Sequence, residues 1–300
     1  IRRSNKGVNR YQLSLDRLLE AARWCAEQRF GSVVIQSGER QDEAFIETIV
    51  KALQLIKRET RSDVLPHGLG ITLSIGEQTK ETYRRFFEAG AHRYLLRIET
   101  SDPALFSRIH PDEQSLESRV AALRALSETG FQVGTGVMIG LPGQTSEHLA
   151  NDIAFFKKIN IDMIGMGPFI PHEATPLGNE SLNDELQMRR SLLMIAMTRL
   201  AMPDINIASA TALQALDPTG REKGLRFGAN VIMPLLTPSD VRSDYLLYPG
   251  KPCLNESAIQ CRDCLEARIK GIGRQIGYDQ WGDSKHALKR HNKGQKPVSL

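Results

Sequence analysis

Glu99 ends the apolar run Tyr94-Leu95-Leu96 on Arg97-Ile98-Glu99, and Arg119 falls one turn into a helix for which Ser115 is the natural N-cap. A carboxylate at a strand end can hold an ammonium or ribose hydroxyls, and a guanidinium can take a carboxylate through two parallel hydrogen bonds. If both face one mouth, the pair suits an amino-acid moiety. A salt bridge between neighbouring elements is the competing reading. A second pattern occurs twice, in Gln36-Ser37-Gly38-Glu39 and Ser74-Ile75-Gly76-Glu77, where a strand runs into Ser, Gly and Glu. Glycine there lets the backbone approach a ligand closely, and the hydroxyls supply polar handles.

The cysteines carry a separate signal. Cys253, Cys261 and Cys264 form C-x7-C-x2-C, and the closely spaced pair could present two thiolates to one metal. Three ligands leave one position open, which suits an iron–sulfur cluster. Structural zinc wants a fourth protein ligand, and His286 and His291 are distant in sequence. Free or paired thiols are the third reading. Cys25 repeats with Leu18, Leu19, Ala22 and Ala26 at helical spacing and belongs to a core face. His110 and His172 adjoin prolines and read as loop residues. No strand end carries Lys for a Schiff base, and no G-x-S-x-G elbow is present.

These groups need strands to aim them. Strands are expected at Ser32–Gln36, Ile71–Ile75, Arg93–Ile98, Val133–Ile139, Asp162–Gly167, Ile205–Ala210 and Ala229–Met233. Helical stretches lie between them at Glu43–Glu59, Lys80–Ala89, Ser115–Thr129, Glu147–Ile159, Asp184–Ala201 and Gly220–Phe227. Alternation of this kind makes right-handed βαβ units and a parallel sheet. Seven strands are one short of an eightfold barrel, whose sites sit at the carboxyl ends of its strands. An open doubly wound sheet would want G-x-G-x-x-G after an early strand, and Gln36-Ser37-Gly38-Glu39 does not supply it. After Met233 the alternation stops, and Pro234–Leu300 reads as a loop-rich extension covering part of the barrel.

Three hundred residues at 41% hydrophobic and 25% charged form an ordinary globular chain, large enough to fold without disulfides. The net charge of +4 is small, and much of the basic excess lies in Lys285, Lys289, Arg290, Lys293 and Lys296. With aromatics at 6%, a nucleic-acid surface is not expected. No apolar run approaches the ~20 residues of a membrane span. The chain opens on Ile1-Arg2-Arg3-Ser4-Asn5, which reads as a fragment whose first strand lies just before Ile1.

Arg93–Thr100, Met138–Thr145, Gly165–His172, Gly228–Pro234, Tyr248-Pro249-Gly250-Lys251 and the three late cysteines together resemble the HydE maturases of FeFe-hydrogenases. These are radical S-adenosylmethionine (SAM) enzymes similar in fold to biotin synthase. The resemblance implies an α/β fold, the (β/α)8 TIM barrel of the radical SAM type, over residues 1–234 without its first strand. A biotin-synthase-like cap would occupy 235–300. It also implies a 4Fe-4S cluster on a C-x3-C-x2-C loop after that first strand, so that these 300 residues alone are expected to be inactive. Bound SAM would be cleaved reductively to a 5'-deoxyadenosyl radical acting on a small iron-containing precursor of the hydrogenase H-cluster.

By position, Gln36, Ser37, Gly38, Glu39, Ser74, Glu99 and Arg119 match the SAM pocket. Ser74, Arg97, Thr211, Met233, Tyr245 and Tyr248 match the substrate cavity, and Cys253, Cys261 and Cys264 match an auxiliary iron–sulfur site that varies across the family. Ile98 stands where some relatives have His. The implied partners are a reductant protein and other hydrogenase maturases, in the cytoplasm. Biotin-synthase-like and methylornithine-synthase-like radical enzymes share the barrel, and a non-catalytic ligand-binding barrel is the reading from another class.

Overall fold

In the computed structural model, which describes residues 4–178, 180, 183–245, 248–252 and 258–292, parallel strands alternate with helices. The order is α1 (Leu15–Glu27), β1 (Ser32–Gln36), α2 (Glu43–Glu59), β2 (Gly70–Ser74), α3 (Lys80–Glu88), β3 (Arg93–Leu95), α4 (Pro103–Ile109) and α5 (Leu116–Thr129). There follow β4 (Gln132–Thr135), β5 (Met138–Ile139), α6 (Ser146–Lys158), β6 (Met163–Pro168), α7 (Asp184–Ala201), β7 (Asn206–Ser209), α8 (Thr211–Leu216) and α9 (Gly220–Arg226). A short α10 (Ser239–Arg242) precedes α11 (Ala258–Gly271) and α12 (Lys285–Asn292). Local chemistry sets these starts. Ser14, Asp42, Thr79, Asp102, Ser115, Thr145 and Asn183 each accept a backbone N–H of the first turn that would otherwise lack a partner.

The sheet runs β1-β2-β3-β4-β6, with β7 on the far side of β6 and the short β5 joined to the end of β6. Every pairing is parallel, and the sheet curls as an open half-barrel. The expected strand at Ala229–Met233 shrinks to one bridge, Ala208↔Val231. The expected strand Val133–Ile139 is interrupted at Gly136, where a Cβ would lie 1.8 Å from the Gly165 carbonyl oxygen, so the ladder breaks and resumes as β5. Between sheet and helices lies one apolar core that includes Leu53, Ile71, Leu73, Phe86, Tyr94, Leu126, Phe131, Phe156, Ile164 and Ile207. Cys25 joins it as expected, with its thiol pushed up to about 12 by burial.

The segment after Ile276 crosses the amino-terminal ends of the strands. Trp281 donates from Nε1 to the Gly68 carbonyl at 2.8 Å and stacks on His92 at 4.4 Å. Arg93 donates to the Trp281 carbonyl at 2.6 Å and to Asp283 at 3.0 Å. The buried Asp162 receives Arg290 at 2.6 Å and pairs with His286 at 2.8 Å, and Asn206 donates to the Gly282 carbonyl at 2.8 Å. Gln280 packs so closely on Gly31 that a Cβ there would meet its carbonyl at 1.8 Å. This strap covers the end of the sheet opposite the strand carboxyl termini. It ends in α12, which joins α10 and α11 among the described residues of the stretch read from sequence as a loop-rich extension. Among the described residues no helix is long and apolar enough to cross a membrane.

Candidate functional site

The carboxyl ends of β1, β2 and β3 each deliver a glutamate: Glu39, Glu77 and Glu99. Beyond Leu95 the β3 chain bulges, because Ile98 and Glu99 both donate their N–H to the Gly136 carbonyl, at 3.1 and 2.9 Å, while Met138 donates to the Glu99 carbonyl at 2.9 Å. Glu99 itself takes a left-handed backbone, φ 62°. An L-residue there costs on the order of 1–2 kcal/mol, so surrounding contacts must hold it. Its side chain lies on the same face as Arg97, which grips it at two points, Nε to Oε1 at 2.8 Å and Nη2 to Oε2 at 2.7 Å. Arg97 also donates to the Val137 carbonyl at 3.0 Å and to the Gly165 carbonyl, so it spans the break between β4 and β5 and reaches β6.

Arg119 enters from the first turn of α5 with its side chain 4% exposed. Its Nη1 donates to Glu39 at 2.9 Å, and its Nε lies 2.8 Å from a Glu77 oxygen. That Nε is nevertheless buried without a hydrogen bond. The second Glu77 oxygen accepts from the Ser118 hydroxyl at 2.6 Å. Gly76, at φ 83°, makes the turn that brings Glu77 and Glu39 together, since a Cβ there would sit 2.1 Å from the Glu39 Cγ. Tyr94 locks the turn by donating to the Gly76 carbonyl at 2.7 Å, and Tyr83 accepts the Gln78 N–H at 3.0 Å. The half-buried His110 faces the charges of Glu99, Arg119 and Glu39. Burial holds its imidazole below the usual range, opposed by the Phe106 carbonyl and by Glu99. Three carboxylates against two guanidiniums leave one negative charge in excess at this rim.

Both Glu99 and Arg119 thus lie on the expected face, but each is held by a different partner: Glu99 by Arg97, Arg119 by Glu39 and Glu77. Glu77 was not singled out as a site residue, although the repeated Ser-Gly-Glu pattern pointed to it. Ser74 pairs in register with Gln36 at the ends of β2 and β1, and its carbonyl accepts the Ser37 N–H at 3.2 Å. Gln36 and Gly38 are exposed, and space around Gly38 is open. Thr211 opens α8, Met233 is 43% exposed beyond the Val231 bridge, and Tyr248 is half-buried. The Tyr245 side chain and all of Cys253 lie outside the described residues. Cys261 and Cys264 stand one turn apart on α11, the first buried and the second exposed beside Arg268. Among the described residues no three His, Cys, Asp or Glu side chains converge as a metal site.

Residues 1–156 match the family described as the Radical SAM superfamily. The "[FeFe] hydrogenase maturase subunit HydE" of Thermotoga maritima is 42% identical over 288 residues, which cover 96% of this chain and 79% of that protein. Among solved structures, methylornithine synthase (PylB) superposes with a TM-score of 0.73 at 23% identity, over 91% of this chain and 76% of that one. The FeFe-hydrogenase maturase HydG from Carboxydothermus hydrogenoformans superposes with a TM-score of 0.68 at 19% identity, over 91% of this chain and 62% of that one. At such identities the two structures speak for the fold alone.

Proposed function

The chain belongs to the radical SAM superfamily and, within it, to the family of the [FeFe] hydrogenase maturase HydE, and we propose that its glutamate-rich rim is the binding site for S-adenosylmethionine. The observation that carries this reading is the excess negative charge at the carboxyl ends of β1 to β3, gathered around a buried Arg119 whose Nε is ion-paired to Glu77 at 2.8 Å without a well-aligned hydrogen bond. SAM carries a sulfonium and an ammonium against a single carboxylate, so its net positive charge complements the rim. The Arg119 guanidinium would take the ligand carboxylate, a geometry to which its planar fork is suited. Glu99 would accept from the ammonium or the ribose hydroxyls, and Gln36, Ser37, Gly38, Glu39 and Ser74 would line the approach.

One electron from a 4Fe-4S cluster would split bound SAM into methionine and a 5'-deoxyadenosyl radical, which would act on a small iron-containing precursor of the hydrogenase active site. The described cysteines do not fit as ligands of that cluster: Cys25 is a core residue with a raised thiol pKa, and Cys261 and Cys264 stand on a helix of the extension. What the chain's own residues contribute is binding, orientation and exclusion of water. Arg97, cross-linking three strand ends, would hold Glu99 in place and present a positive charge to the substrate cavity. Ser74, Thr211, Met233, Tyr245 and Tyr248 would form the rest of that cavity. Cys261 and Cys264, with Cys253, would supply thiolates to an auxiliary cluster. A reductant protein and the other hydrogenase maturases are the expected partners, in the cytoplasm.

Anaerobic incubation of the intact, cluster-reconstituted protein with reductant and SAM should yield 5'-deoxyadenosine. Replacing Glu99 by Ala should weaken SAM binding by about tenfold, the usual loss for a charged hydrogen-bond partner. An unchanged affinity would remove Glu99 from the site, and absence of 5'-deoxyadenosine from the reconstituted protein would overturn the assignment.

A further inference from the structure

We propose that Asp152, on α6 and outside the glutamate rim, is a positioning residue for SAM binding: its carboxylate clamps the turn that keeps Glu99 in its left-handed conformation. The inference rests on the SAM reading of Glu99 and adds to it a residue that touches neither ligand nor rim. Asp152 has 0% exposure. One oxygen, Oδ1, accepts both the Ser101 N–H at 2.7 Å and the Ser101 hydroxyl at 2.6 Å. Ser101 lies two residues beyond Glu99. The residue between them, Thr100, is itself fully buried and accepts the Asp102 N–H at 3.2 Å, while Asp102 caps α4 through Leu105 at 2.8 Å. The strained residue is therefore bounded on one side by the β3 bulge and on the other by a turn fastened to α6.

A stability argument does not account for this carboxylate. Its other oxygen, Oδ2, is buried with no hydrogen-bond partner, which is costly for a charged group. An amide of the same shape could receive the two Ser101 donors without burying a charge. What the charge adds is strength, because hydrogen bonds to an ionised acceptor are roughly twice as strong as those to a neutral one. A left-handed glutamate persists only where its surroundings over-determine it. A carboxylate fixed on a separate helix and fastened to Ser101, two residues downstream of Glu99, provides that determination at the expense of an unsatisfied oxygen.

The titratable and charged groups around Asp152 are few. His148, on the same helix, lies with its Nε2 3.8 Å from Asp102, and Asp102 belongs to the fastened turn. Burial pushes the Asp152 carboxyl up to about 6, against the two Ser101 hydrogen bonds that favour its ionised form. The clamp is therefore strong above that pH and weak below it.

The test is SAM binding to the intact, cluster-reconstituted protein, followed by equilibrium dialysis from pH 5.5 to 8.5. Asp152→Asn should bind about three- to tenfold more weakly than wild type at pH 7.5, as expected when charge-assisted hydrogen bonds become neutral ones. The gap should close below about pH 6, where wild type is protonated as well. Any pH dependence left in the variant belongs to groups other than Asp152. Ser101→Ala, which removes one donor, should weaken binding in the same direction. Equal affinities of wild type and Asp152→Asn at pH 7.5, or a gap that stays constant across the range, would overturn the inference. Glu99→Ala is the control: if it binds SAM as wild type does, the reading of the rim fails instead, whatever Asp152 does.

Discussion

Arg97 and Glu99, two residues apart on one strand, form a two-point ion pair across a backbone bulge, with Glu99 in the left-handed region. The pair and the backbone strain can be separated experimentally. Glu99→Ala and Glu99→Gly both delete the carboxylate, but only glycine relieves the positive φ. Thermal or denaturant unfolding should find Glu99→Gly more stable than Glu99→Ala by about 1 kcal/mol, while both lose SAM affinity alike. Equal stabilities would mean that this backbone carries no strain.

Gly76→Ala tests the assembly of the rim from a position that offers no side chain of its own. The new methyl group meets Glu39 at a left-handed φ, so the expected loss is about 1–3 kcal/mol of stability. Glu39 must also leave Arg119, which should lower SAM affinity by more than the stability change alone explains. Gly38→Ala, in open space, is the matched comparison and should leave both quantities nearly unchanged.

Trp281→Ala acts at the opposite end of the sheet. It removes the stacking on His92, the contact with Lys57 at 4.0 Å and the hydrogen bond to Gly68. For a partly buried indole the expected loss is about 2–3 kcal/mol, or about 3–5 °C in Tm for a chain of this length. SAM affinity at temperatures well below that transition should match wild type, because the strap and the rim lie at opposite ends of the strands.

Asp152 affects stability with the opposite sign to binding. Its folded-state pKa, about 6, stands above the ordinary carboxyl value, so its contribution to stability is fully present below about pH 4 and is lost as pH rises through 6. At pH 8 Asp152→Asn should accordingly be more stable than wild type by about 1–2 kcal/mol, a difference that vanishes near pH 4. Denaturant unfolding at the two pH values measures it. A variant less stable than wild type at pH 8 would show that the carboxylate is structural.

Much of the scaffold was legible in the residues. The bounds of β1, α2 and α7 coincide with the apolar and capping patterns read from sequence, because in each a strong N-cap or β-branched run agrees with the packing. Ala229–Met233 looked equally strand-like, yet a single bridge is all that forms there. The short α4 went unread, although Asp102 followed by Pro103 is a helix start in miniature. α11 lacks a strong apolar stripe, and its packing is tertiary. For the site, residue types at strand ends located the rim, whereas the choice of partners depended on the bulge at Glu99 and the turn at Gly76, which no periodicity encodes. Asp152 was visible in principle as an acid on the same helical face as Phe156, four residues on.

The strap over the strand beginnings also has a consequence for biogenesis. Residues 279–290 emerge from the ribosome after every strand they cover, whereas the acids and guanidiniums of the rim all lie between residues 39 and 119. Nascent chains would therefore complete the glutamate-rich end first and close the base last, leaving an interval in which the interior stays open from below.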